Sequence, residues 1–409
     1  MEQYVITGMG IHNGLGRTLN DSWKNLLAGE TAVKETVWPE DNEDRFPRTY
    51  SALKTKYAAR NLLPLEECPE KLSYGWRHFD PNTKSCLLAI DEAMTASGLD
   101  SRKVGALVST FGGATNIRLK VFEALDRGKK ASPRNTLNLG LDFPAAQVAK
   151  IWNVHGPNTC LNSACTTGLT SIELAIQTMK VDPSLDAMIV GGADNNVDAI
   201  YMFWFQNLGA LSQSQEIATA SCPWDRKRNG FVMGEGASAI IIEPMSKALA
   251  RGATIYGIIR STSTYTLFDS DTSPDPDGIG AKTCVRQALD RAGLKASDIG
   301  YVNAHATSTP VGDDIEFNAM LEITPGIPMV SNKGQIGHSM AGCGIVESIY
   351  AIMAMREGVT PPNANLTEPL GEGMILPTTA TPLDAKYCIK NSFGFGGRNS
   401  SIILERYGD

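Results

Sequence analysis

The chain has 409 residues, of which 42% are hydrophobic and 20% charged, and a formal net charge of −7. That composition belongs to a globular chain of two or three units, or one large one, able to bury its own core without a metal or disulfide staple. The acidic balance argues against general nucleic-acid binding, and no run approaches the ~20 apolar residues of a membrane span.

The chain starts directly in a strand-like run, YVITGMG (4–10), with no basic n-region or apolar h-region ahead of it. Its eight cysteines, at 68, 86, 160, 165, 222, 284, 343 and 388, form no CxxC pair and no zinc-type spacing with histidine. Both features lead us to expect reduced thiols, no bound metal and a cytoplasmic location. The GMGIHNG stretch (8–14) is spaced GxGxxxG, one residue too long for a dinucleotide loop.

Residues 36–80 are charged, proline-containing and weakly periodic. They are expected to cover the surface or insert at a subunit boundary. Period and composition then predict a helix over 84–99, a strand over 104–110, a helix over 145–152 and a strand over 186–194. A strand over 236–243, a helix over 280–294 and a strand over 299–305 follow. A helix over 346–358 and a strand over 400–407 complete the series. This alternation predicts an α/β protein with largely buried sheets. Segments 231–243 (FVMGEGASAIIIE) and 393–405 (FGFGGRNSSIILE) align without gaps at an offset of 162, with identity at six of 13 positions. The echo points to a duplicated fold that breaks near Pro244–Arg251.

Four stretches could carry chemistry. In LNSACTTGLTSIELAI (161–176), Cys165 precedes a stripe of Leu169, Ile172, Ile176 and Met179 at helical spacing. Thr166 and Thr167 suit a helix start, and the helix dipole there would lower a thiol pKa. An inert buried cysteine remains open on this stretch alone. His305 ends a predicted strand in NAHATSTPVGDDIE. His338 lies in the glycine-rich SNKGQIGHSMAGCG, five residues after Lys333. Each is equally readable as a hydrogen-bonded structural histidine. NSFGFGGRNSS (391–401) is a glycine turn that could aim a backbone N–H at an oxyanion, or could simply close a sheet edge.

Taken together, SACTTG, WDRKRNGFVMGEGA (224–237), NAHATSTPVGD, KGQIGHSMAGCG and NSFGFGG resemble the β-ketoacyl-acyl-carrier-protein synthases, in that family's order and along nearly the whole chain. The resemblance implies a thiolase-like fold, with duplicated halves in five αβαβα layers, here 1–246 and 247–409, usually as a homodimer. It implies Cys165 as acyl-accepting nucleophile and His305 and His338 as the histidine pair of the elongating class, with Lys333 before the second. The oxyanion hole would be the amides of Cys165 and Phe395. Thr307, Thr309 and Phe393 would line the pantetheine arm and substrate. Glu347 matches a buried glutamate near a structural water or cation, and Asn303 and Asp313 would support the site. Lys129 and Lys130 match a basic pair for docking acidic acyl carrier protein. No cofactor is implied beyond that carrier's phosphopantetheine.

The implied activity is decarboxylative condensation in fatty acid synthesis. The alternatives are a type II polyketide or polyene ketosynthase and a partner subunit of a heterodimer. The second histidine sets the chain apart from initiating enzymes, which carry Asn there. Cys165 sets it apart from chain-length-factor subunits. Three positions depart from the family pattern. Arg398 follows GFGG, where Thr or Gln is usual, and is expected either to bind substrate or to pair with Glu235. HATST replaces HGTST. Phe111 falls at the expected floor of the acyl pocket and is expected to favour short or flat acyl chains.

Overall fold

The computed structural model describes residues 2–36, 52–61, 65, 68–73, 75–271 and 274–408. Ten strands build the central sheet: β1 (Tyr4–Asn13), β2 (Val104–Ser109), β3 (Asn158–Thr159), β4 (Ala187–Asp194), β5 (Gly236–Pro244), β6 (Gly257–Thr266), β7 (Ile299–Asn303), β8 (Met329–Val330), β9 (Tyr387–Gly394) and β10 (Arg398–Arg406). Six helices matter for the site: α1 (Pro81–Ser97), α2 (Phe143–Trp152), α3 (Thr167–Val181), α4 (Ile279–Ala292), α5 (Pro310–Ile323) and α6 (Cys343–Glu357).

Strand order is β8-β7-β9-β10-β6-β1-β5-β4-β2-β3. The order is symmetric about the β6–β1 junction. Outward from it, each half runs antiparallel, antiparallel, parallel, parallel. The junction itself is a short antiparallel pairing of Tyr4, Val5 and Ile6 with Ile259, Ile258 and Gly257. The two half-sheets are therefore one continuous hydrogen-bonded sheet rather than two separate ones. The echoed segments end in β5 and β10, which hold the same place in their halves.

The helices form the remaining layers. α1 and α2 cover the N-terminal half-sheet, α4 and α5 the C-terminal one, and α3 packs against α6 between them. Strands β1, β2, β4 and β5 are buried along their whole length, as the apolar runs require when helices cover both faces. Gly8 and Gly10 are consequently interior residues of β1, not a nucleotide loop. α1 crosses so close that a Cβ at Gly8 would fall 2.1 Å from the Ala93 carbonyl oxygen, and one at Gly10 would fall 2.0 Å from that of Ala89.

Local signals account for the helix ends. The Asp80 carboxylate accepts from the Asn82 amide at the start of α1, with Pro81 in the first turn, and α1, α4 and α6 each end at a left-handed glycine. Four sheet strands escape a periodicity reading, two of them, β3 and β8, because they are only two residues long. β6 (GIIRSTSTYT) is largely polar, and β9 (YCIKNSFG) carries a lysine in its middle.

The expectation for residues 36–80 can be followed only in part, because 37–51, 62–64, 66, 67 and 74 lie outside the described residues. Val33–Glu35 and Tyr57–Ala59 pair as an antiparallel ribbon. Ala59 exchanges backbone hydrogen bonds with Met233 and Glu235, just ahead of β5.

Candidate active site

Cys165 sits immediately before α3, in the central layer, 7% exposed. The residue before it, Ala164, has φ 53°. A left-handed alanine costs about 1–2 kcal/mol and persists only where the surroundings hold it. The holding groups are the two threonines. Thr167 Oγ1 accepts from the Ser163 amide and donates to the Ala164 carbonyl, and Thr166 Oγ1 donates to the Ser163 carbonyl. The threonines thus pin the turn that presents the thiol. They do not cap the helix as the sequence suggested, and no side chain caps α3 at its start. The thiol pKa also departs from expectation. Burial pushes Cys165 up to about 11, and the nearby Lys333 ammonium draws it only part of the way back.

The histidines converge on this thiol. His338 Nε2 lies 3.0 Å from Cys165 Sγ. The His305 and His338 rings meet edge to face with centroids 5.4 Å apart. Burial holds both imidazoles well below their ordinary pKa, and Lys333 adds to this. Both are neutral at physiological pH. Lys333 is 1% exposed, and its Nζ donates to the His305 carbonyl at 2.7 Å and pairs with Glu347 Oε1. Nζ also lies 3.4 Å from His305 Nδ1. An ammonium has only donors, so Nδ1 is the bare nitrogen and the His305 proton resides on Nε2.

Three buried carboxylates position the loops. Glu316 on α5 accepts from the amides of His305 and Ala306 and from Asn391 Nδ2. Asp313, one turn earlier, accepts from the amides of Thr307, Ser308 and Trp224, and burial pushes it up to about 7. Asp194, at the end of β4, accepts from Thr110, from the amides of Phe111, Gly112 and Ala341, and from Asn196. Asn303 Nδ2 donates to Asn332 Oδ1, tying the end of β7 to the residue before Lys333.

A cleft of about 280 Å³ opens over Cys165, His305 and His338, with Thr307, Thr309, Phe393 and Phe395 in its wall. The two threonine hydroxyls are 3.0 Å apart. The glycine turn closes over Cys165. A Cβ at Gly394 would lie 3.3 Å from the Cys165 amide nitrogen, so glycine permits the close approach. Phe111 packs on Phe205, Phe205 on Phe231, and Phe231 on His338, at centroid distances of 5.8, 5.7 and 5.3 Å. This aromatic series ends at the His338 ring, although Phe111 itself does not line the cleft.

Arg398 does not join the site. It is exposed at the start of β10 and absent from the cleft wall. It does not pair with Glu235 either. Glu235 lies 3.8 Å from Arg60 and accepts from the amides of Asn61 and Val197, which leaves it turned toward the opposite half of the molecule. Lys129 and Lys130 are exposed just beyond the helix Thr115–Asp126, away from the cleft wall. A larger surface hollow of about 600 Å³, between Trp76, Phe79, Arg134 and Phe143, holds none of the expected site residues.

The model for the β-ketoacyl synthase N-terminal domain matches residues 1–248, and that for the C-terminal domain matches 256–367. The chain belongs to the β-ketoacyl synthase family. It is 33% identical over 423 residues to 3-oxoacyl-[acyl-carrier-protein] synthase 2 of Vibrio harveyi, covering 98% of each chain. It is 32% identical to the chloroplastic synthase II of Arabidopsis thaliana, covering 98% of this chain and 75% of that one. A β-ketoacyl synthase from Burkholderia phymatum superposes over all of both chains with a TM-score of 0.88 at 27% identity. A ketosynthase solved with its type II polyketide acyl-carrier protein shares the fold, with a TM-score of 0.87 at 24% identity over 99% of this chain.

The ketosynthase is an acyltransferase with Cys165, His305 and His338 gathered in one place, their ligand-type atoms all within 4.8 Å of one another. A second group, His305, Cys343 and Glu347, meets the same distance criterion. There the carboxylate oxygens of Glu347 already face two ammonium groups, those of Lys333 and Lys390. Sequence reasoning passed over Asp194, Glu316 and Lys390. A strand-ending acid in GGAD, an acid three residues after Asp313 on one helix face, and a lysine inside an otherwise buried strand were the available signals.

Proposed function

We propose that the chain is a 3-oxoacyl-[acyl-carrier-protein] synthase that elongates acyl chains by decarboxylative condensation. The observation that carries this reading is the buried thiol 3.0 Å from a neutral imidazole, with a second neutral imidazole edge-on to the first. In the first step Cys165 Sγ attacks the acyl thioester. Its proton passes to the departing pantetheine sulfur as the thioester exchanges, with His338 Nε2–H donating to Sγ, so no free thiolate needs to build up against the raised thiol pKa. The oxyanion of the tetrahedral intermediate accepts from the amides of Cys165 and Phe395.

In the second step the bond from C2 of a malonyl thioester to its carboxylate breaks. Carbon dioxide leaves, and the electron pair passes into an enolate whose oxygen accepts from His305 and His338 as neutral N–H donors. C2 then attacks the acyl carbon on Cys165, the oxyanion collapses, and Sγ departs as the thiolate, which takes a proton from solvent. Thr307 and Thr309 hydrogen-bond the pantetheine arm, with Phe393 beside it. Lys333, Glu347, Asn303 and Asp313 hold the histidine loops. We assign no cofactor or metal to the protein itself.

The relatives named 3-oxoacyl-[acyl-carrier-protein] synthase 2 favour fatty acid elongation over a polyketide role. We further propose acyl carrier protein docking at Lys129 and Lys130 and a second copy of the chain as dimer partner. The test is intact-mass measurement of the purified chain after exposure to a panel of acyl-carrier substrates. An acyl adduct on Cys165, and condensation on adding malonyl carrier, are expected. Failure of every acyl carrier to load the chain, with loading only after a partner subunit is added, would overturn the reading in favour of a heterodimer component.

A further inference from the structure

Lys390 lies in the middle of β9, and its side chain is fully buried. Strand alternation turns it toward the central layer, where α6 packs on β9. Its Nζ lies 2.7 Å from Glu347 Oε2 and donates to the Asn391 carbonyl. The other oxygen of the same carboxylate holds Lys333, which in turn grips the carbonyl of His305. One buried carboxylate therefore bridges two buried amines. Taking a charge out of water costs several kcal/mol even when it is paired. The buried Glu316 carboxyl acts on both ammonium groups as well.

We propose that Lys390 is a positioning residue of the ketosynthase site. Through Glu347 it fixes Lys333 against His305, and it adds a second buried ammonium behind the two imidazoles where enolate charge develops. The inference rests on the condensing reading of this site.

The titratable groups around the pair come from every packed element. They are Cys165 before α3, Lys333 before His338, Cys343 and Glu347 on α6, Glu316 on α5 and Lys390 on β9. Among these, Lys390 adds to Lys333 in disfavouring protonation of both histidines. Removing it lets the imidazoles take up a proton at higher pH, and the imidazolium form lacks the balance the enolate step needs.

The test is Lys390→Met, which keeps the side-chain stem and removes the charge. It is compared with the wild type in malonyl-carrier decarboxylation and in acyl loading of Cys165. With the fold verified by thermal melting, kcat for decarboxylation should fall roughly tenfold or more with KM within a factor of about two. The acidic limb of the pH–rate profile should move to higher pH. Unchanged kcat and an unmoved limb would overturn the proposal. Should Lys390→Met not fold, Lys390→Ala assayed with and without methylammonium decides. Partial recovery of decarboxylation supports the role, and a folded Lys390→Ala that is active without the amine overturns it. A wild-type chain that neither loads acyl groups nor decarboxylates malonyl carrier would instead defeat the functional reading itself.

Discussion

The two half-sheets share strand order and strand sense but carry different chemistry. In the N-terminal half, Asp194 gathers the turn after β2, and the central helix α3 begins two residues after Cys165. In the C-terminal half, Glu316 gathers the turn after β7, and the segment 331–342 ahead of α6 carries Lys333 and His338. The echoed segments begin with Phe231 and Phe393. One ring packs edge-on to His338 at 5.3 Å, the other edge-on to His305 at 6.0 Å. The two halves have matching backbone frames and matching aromatic walls. One frame presents the thiol of Cys165, the other the imidazoles of His305 and His338.

The largest test of that division is Cys165→Ala. The acyl adduct should vanish from the intact-mass spectrum while malonyl decarboxylation survives, because the histidine frame is untouched. Loss of both activities would mean that the halves do not act separably.

Next come the two loop-gathering acids. Glu316→Ala and Asp194→Ala each strand several buried donors, at about 1–3 kcal/mol apiece and not additively. Thermal melts should fall for both. Decarboxylation by the folded fraction should fall much further for Glu316→Ala, whose partners include the His305 amide. Equal losses of decarboxylation would blur the distinction between the frames.

Gly394→Ala probes where the frames touch. Gly394 has no left-handed φ, so alanine is tolerated by the backbone, but its Cβ would press toward the Cys165 amide at 3.3 Å. Acyl transfer should slow about tenfold with the melt little changed. A wild-type transfer rate would show that the amide is not used as an oxyanion donor.

A finer measurement concerns the thiol itself. Burial places the Cys165 pKa above that of a free thiol, so the thiolate fraction keeps growing with pH across the range below about 11. Alkylation of Cys165 by iodoacetamide should climb from neutral pH without levelling off before roughly pH 9–10. A plateau near neutrality would mean that the helix end and Lys333 outweigh burial. The smallest effect is expected from Phe111→Ala, which shortens the aromatic series behind His338 and should lengthen the preferred acyl chain. Unchanged preference across saturated acyl carriers would rule that out.

The alternation of apolar runs, the echo at offset 162 and the motif set were legible in the sequence because each depends on local spacing. Periodicity reports burial, and the turn glycines report backbone geometry. Cys165, His305 and His338 could be singled out from their settings, but their roles, and that of Lys333, came from the resemblance to a known family. What they do to one another was not legible. Cys165 read as a thiol activated by a helix end. Only the packed structure shows it buried enough for desolvation to raise its pKa.

Arg398 read as a candidate substrate ligand because it adjoins the glycine turn. The pairing of β10 with β6 and β9 instead carries it to the surface. Lys390 drew no notice in a strand of unremarkable composition. It acquires meaning only because α6 crosses β9 and brings Glu347 between it and Lys333. Spacing along a chain determines which elements form and which faces are apolar. Electrostatic environment depends on charges brought together from distant positions, and that only the tertiary structure decides.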